Sequence, residues 1–141
     1  MSKKLLDRPV WKLIFILSLI ITGYDFFSGF NLPANLQPTH PVALSIIIIL
    51  LEILTLIASF GAATRILIGN LLLWQITLIS QIIATILVYY YEFSAGGYTF
   101  NEMLIHINIA YILACIFFAP LLRYCQDFID KDKNELPAES S

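Results

Sequence analysis

The sequence predicts an all-α protein: an integral membrane four-helix bundle in antiparallel, up-down topology, with the N-terminus and C-terminus both cytoplasmic. Three observations carry this expectation. Of 141 residues, 59% are hydrophobic and only 13% charged, and the mean hydropathy is +0.82. Soluble chains average about a quarter charged, so this chain lacks the side chains to coat a soluble domain of its size. Four apolar runs come close to or exceed the roughly 20 residues that cross a hydrocarbon core. With four spans, all 8 Lys and Arg residues fall on one side.

The first span is expected at about 10–30. Lys3, Lys4 and Arg8 precede it as they would a secretory leader. Its apolar stretch is too long for a leader's core and no small-x-small cleavage site follows, so it reads as a retained helix. Residues 31–41 hold Pro33, Pro38 and Pro41, which disfavour a continuing helix. The second span is expected at about 42–60, followed by a short turn at Gly61-Ala62-Ala63-Thr64. The third is expected at 66–91 and the fourth at 103–122, separated by a connection containing Gly96-Gly97. These spans form a single transmembrane domain over 1–122. Residues 123–141 read as a polar cytoplasmic tail, expected to be disordered.

Orientation follows from the basic residues. Lys3, Lys4, Arg8 and Lys12 lie at the start, Arg65 in the second connection, and Arg123, Lys131 and Lys133 after the last span. The first and third connections carry none. Cytoplasmic loops of membrane proteins are the ones enriched in Lys and Arg, which puts both termini on the cytoplasmic side of a cytoplasmic membrane. Tyr24, Phe26, Phe27, Phe30 and Tyr89-Tyr90-Tyr91 mark the opposite interface. Arg65 is expected to anchor its turn among lipid phosphates on the cytoplasmic side.

Polar residues inside spans are costly and tend to face a bundle interior. Ser18, Thr22, Asp25 and Gly29 recur at helical spacing on the first span, as do Ser45, Glu52, Thr55 and Ser59 on the second. The third carries Asn70, Trp74, Thr77, Gln81 and Thr85, with Gln75 off that stripe. The fourth offers His106 and Asn108 on different faces. Glu52 lies about ten residues from the outer end of its span, ~15 Å deep at the helical rise, too deep for its carboxyl to reach water by snorkelling. Asp25, Gln81, His106 and Asn108 belong to the outer third. These depths predict a polar pocket that opens outward, with Glu52 at its floor and Asp25, Trp74, Gln75, Gln81 and His106 around it. A protonated carboxyl there would donate a hydrogen bond to a ligand carbonyl or exchange a proton with it. The bland alternative is interhelical packing, in which such bonds average about 0.6 kcal/mol.

Pro41 opening the second span, Glu52 within it, and Gly61-Ala62-Ala63-Thr64-Arg65 leading to the third together resemble the DoxX family. Gly23 in the first span and Asn101-Glu102 at the opening of the fourth fit the same pattern, over roughly residues 8–122. Members of that family are small four-helix membrane proteins of bacteria and archaea. Some are linked to thiosulfate oxidation with electrons passed to quinone, others to membrane oxidoreductase assemblies. The resemblance implies that Glu52 and Arg65 hold the family's acidic and basic positions.

The preferred expectation is therefore a quinone-linked subunit of a membrane oxidoreductase system, with a redox or assembly partner protein supplying the electrons. An apolar slot with a few polar contacts is the usual anatomy of a small-molecule site. With only His40 and His106 in the chain, no haem or metal ligand set is expected. A noncatalytic assembly subunit is the alternative, and a transporter protomer or other homo-oligomer ranks below it because no inverted repeat is visible. A disulfide-generating oxidase is excluded by the placement of Cys115 and Cys125 toward the cytoplasmic side. Ten residues of helix would also hold them ~15 Å apart, beyond the ~7 Å limit for a bridge. Nucleic-acid binding has no basis, since the few basic residues serve as topological anchors.

Overall fold

The computed structural model describes residues 7–31 and 40–135. It contains four helices, α1 (Asp7–Asn31), α2 (Val42–Thr64), α3 (Leu71–Ser94) and α4 (Phe100–Glu135). Each is long and apolar enough to cross a membrane. Lys3, Lys4, Pro33, Pro38 and the tail residues 136–141 lie outside the described residues. Isoleucines, leucines and aromatics remain exposed on the outer faces of all four helices, the surface expected of a bundle solvated by lipid rather than water.

Helix α2 is the hub. It packs against α1, α3 and α4, whereas α1 touches α2 and α4 but not α3 among the described residues. Near one end, Phe15 of α1 meets Phe60 of α2 edge to face, with ring centroids 5.7 Å apart. The tightest core sits at that same end, where α2 hands over to α3. Ala58, Ala62, Trp74, Leu121, Tyr124, Cys125 and Phe128 form it. Small residues on α2 let α4 approach closely. A Cβ placed on Gly61 would run into the ring of Tyr124.

Helix boundaries differ from the sequence expectation in three places. Gly61-Ala62-Ala63-Thr64 is the last turn of α2 and not a connection. The link is instead Arg65 to Asn70: Arg65 leaves the helix at φ 63° with its amide bonded to the Gly61 carbonyl, and Gly69 takes φ 79°. The third helix therefore starts at Leu71 and not Ile66. The Asn70 side chain caps it by accepting the Leu73 amide at 2.8 Å.

The second difference is at the start of α4. Thr99 and Glu102 form a capping box, in which the Glu102 carboxylate accepts the Thr99 amide at 2.7 Å and the Thr99 hydroxyl at 2.8 Å. The third is its end. Helix α4 does not stop at Leu122; it runs 36 residues to Glu135, about 54 Å long, so residues 123–135 are helical and not a disordered tail. Leu121, Tyr124, Cys125 and Phe128 explain this, because their spacing puts four buried side chains on one helical face. An Arg123–Asp127 ion pair at 3.2 Å supports the same turn. Pro120 lies inside α4 and is fully buried.

Candidate functional site

Away from the tight core the bundle opens. A cleft of about 480 Å³ lies between α1, α2 and α3. Asp25 and Gly29 line it from α1, Ser45 and Glu52 from α2, and His40 stands just ahead of α2. The remaining wall is apolar, made by Phe26, Ile48, Ile49 and Val88. A narrower groove of about 230 Å³ continues between α1 and α2 past Thr22, Gly23 and Leu56. Glu52, Phe26 and Ile49 border both, so Glu52 stands where cleft and groove meet.

The local reasons are simple. On α2, Ser45 and Glu52 are seven residues apart, two turns on one face. On α1, Thr22, Asp25 and Gly29 share the face that meets them. Glu52 is half-buried and makes no side-chain hydrogen bond among the described residues. Asp25 and Glu52 face one cleft from α1 and α2, so the two carboxylates repel if both are ionised. Thr22 adds a buried hydroxyl with no partner among the described residues, an acceptor and donor left for water or a ligand. Thr55, in contrast, spends its hydroxyl on its own helix, donating to the Leu51 carbonyl at 2.8 Å.

Of the residues expected around one pocket, the structure brings together Glu52 and Asp25. Trp74 is elsewhere, buried in the tight core and donating its indole N–H to the Ile68 carbonyl at 2.7 Å. Gln75 is exposed near the start of α3. Gln81 lines a separate crevice of about 100 Å³ against Ala110, Ala114 and Phe117 of α4, its Oε1 buried without a partner among the described residues. His106 packs edge to face on Tyr98, centroids 5.2 Å apart. Tyr98 in turn donates to Glu92 at 2.8 Å, and that bond, with the nearby carboxylate charge, pushes its phenol above the ordinary tyrosine value. Asn108 bonds the Leu104 carbonyl of its own helix. Cys115 and Cys125 are free thiols on α4.

Sequence reasoning placed His40 in a loop and missed its position at the mouth of the cleft. The signal was its adjacency to Pro41, which starts α2 only one turn before Ser45. Arg65 does sit beside a cluster of charged residues, at the opposite end of the bundle from Asp25. No family, no curated protein and no solved structure matches this chain.

Proposed function

We propose that this chain is a DoxX-like protein of a bacterial or archaeal cytoplasmic membrane that binds a quinone as a subunit of a membrane oxidoreductase system. In this reading the bundle is antiparallel and up-down with both termini cytoplasmic, and the Asp25–Glu52 cleft opens outward. The observation that carries the reading is that three titratable groups, His40, Asp25 and Glu52, line one largely apolar cleft.

Such a lining fits a quinone chemically. The ring and tail need an apolar slot, which Phe26, Ile48, Ile49 and Val88 supply. A carbonyl oxygen needs a donor, which Glu52 supplies when its carboxyl is protonated. A bound quinone contributes two-electron, two-proton redox chemistry, with the electrons delivered by a redox centre on a partner protein. The chain's own part is to hold the head group and to move protons between the cleft mouth at His40, Asp25 and the Glu52 carboxyl.

A hydrophobic carbodiimide tests this directly, because it modifies protonated carboxyls in apolar surroundings. Peptide mass mapping should find the label on Glu52, and a short-chain quinone added first should protect that residue. Labelling of Glu52 that no quinone slows would contradict the reading and favour the assembly role.

A further inference from the structure

The two openings that meet at Glu52 differ in chemistry. Besides Glu52, the cleft carries Asp25, His40 and Ser45 in its wall. Among the described residues the groove of about 230 Å³ carries only Thr22 besides Glu52; Leu19, Gly23, Phe26, Ile49, Ile53 and Leu56 make the rest of its wall. Leu19, Phe26, Ile49 and Ile53 are each about half exposed, so the groove opens sideways between α1 and α2 onto the lipid-facing surface. A polar ring finds partners in the cleft and few in the groove, whereas a hydrocarbon chain suits the groove and the lipid beyond it.

The junction of the two matches the connectivity of a prenylated quinone. In such a molecule the tail is attached to the ring carbon next to a carbonyl carbon. A carbonyl held at Glu52 therefore brings the tail attachment beside Glu52. That is where the groove leaves the cleft, since Glu52, Phe26 and Ile49 border both. Gly23 supplies a separate observation. A Cβ built there would meet no heavy atom within 4 Å among the described residues. Close packing thus does not account for a glycine inside α1, although glycine is among the poorest helix formers. An open groove does account for it, because a side chain there would occupy the space that Gly23 lines.

Resting on the reading that the Glu52 cleft holds a quinone ring, we propose that the α1–α2 groove takes the polyprenyl tail of that quinone and passes it out between the two helices into the membrane. Gly23 keeps the groove clear on the α1 side, and Ile53 and Leu56 form its α2 wall. Tethered this way, the ring exchanges with the membrane pool sideways and does not pass the cleft mouth at His40.

The test uses the full chain in phosphatidylcholine nanodiscs and two probes that share one ring: a polyprenylated, fully substituted benzoquinone and the same ring with a methyl group in place of the tail. Binding is read from the distribution of each probe between loaded and empty discs at equilibrium. Each probe is compared with itself across variants, so its partition into lipid cancels. Gly23→Leu should keep native helix content, since leucine is the better helix former. It should bind the tailed quinone about tenfold more weakly, the order of an overpacking cost in a filled site, and the tail-less ring as tightly as native. Ile53→Phe, which narrows the groove from α2, should separate the two probes in the same direction. Ile46→Phe, on the exposed outer face of α2, should leave both unchanged. Native-like binding of the tailed quinone in Gly23→Leu and Ile53→Phe, equal loss of both probes, or the same separation in Ile46→Phe would overturn the tail groove while leaving the ring site standing. A native chain that binds neither probe would overturn the quinone reading itself, and the groove's occupant with it.

Discussion

The phenol oxygen of Tyr124 accepts the backbone amide of Ile68 at 2.6 Å, tying α4 to the link between α2 and α3. The same hydroxyl donates to the Ile66 carbonyl at 2.8 Å, and the ring fills the space beside Gly61. Non-helical backbone packed against protein needs such partners, because an unpaired N–H or C=O there costs about as much as a lost hydrogen bond. One side chain thus satisfies two backbone groups of a segment that cannot satisfy them itself.

Tyr124→Phe keeps the ring and removes both bonds, leaving the Ile68 amide and the Ile66 carbonyl unpaired. The expected loss is about 1–3 kcal/mol, measured by unfolding in a denaturing-detergent titration followed by circular dichroism. Gly61→Ala should cost a similar ~1–3 kcal/mol by forcing α2 and α4 apart. Native-like stability in both would mean that this contact does not hold the bundle together.

Trp74 separates a core role from a site role. Its ring lies edge-on to Tyr124 with centroids 5.0 Å apart, and its N–H serves the link. Trp74→Phe should lower stability, and combined with Tyr124→Phe the losses should be non-additive, as for side chains in one network. Ligand binding at the Glu52 cleft should be unchanged. A variant of native stability that loses ligand would put Trp74 back in the site.

The misplacement of Trp74 shows where a sequence reading stops. The stripe through Trp74, Thr77 and Gln81 does mark the inward face of α3, on which Trp74 and Thr77 are buried. Depth was the error. Trp74 lies fourteen residues from Val88, the α3 residue that lines the Glu52 cleft, or ~21 Å along the helix. Starting α3 at Ile66 by hydropathy grouped Gln75 with Glu52, when the Asn70 cap places it near the link. Charge density likewise concealed the helix beyond Leu122, although Leu121, Tyr124, Cys125 and Phe128 already repeat at helical spacing. Asp25 and Glu52 were legible because each lies on a polar stripe of its own span. His40 was not, since a loop residue has no periodicity to place it.

At the α3–α4 connection, Tyr98 provides a pH-dependent check. Its proton bridges to Glu92, so the folded phenol titrates above the unfolded one. A raised value means that the contribution is complete below the ordinary tyrosine range and is lost as pH rises through the folded value. A difference absorbance titration between the native protein and Tyr98→Phe should isolate this phenol at alkaline pH, and Glu92→Gln should move it back down. A Tyr98 phenol that titrates at the ordinary value in the native protein would remove the Glu92 bond from the account.

The most direct measurement is the quinone content of protein purified in mild detergent, compared between the native chain and Glu52→Leu. Leucine fits the apolar wall but offers a carbonyl no donor. The account predicts close to one quinone per native chain and strong depletion in Glu52→Leu at unchanged helix content. No quinone in the native protein, or equal amounts in both, would contradict a quinone site centred on Glu52.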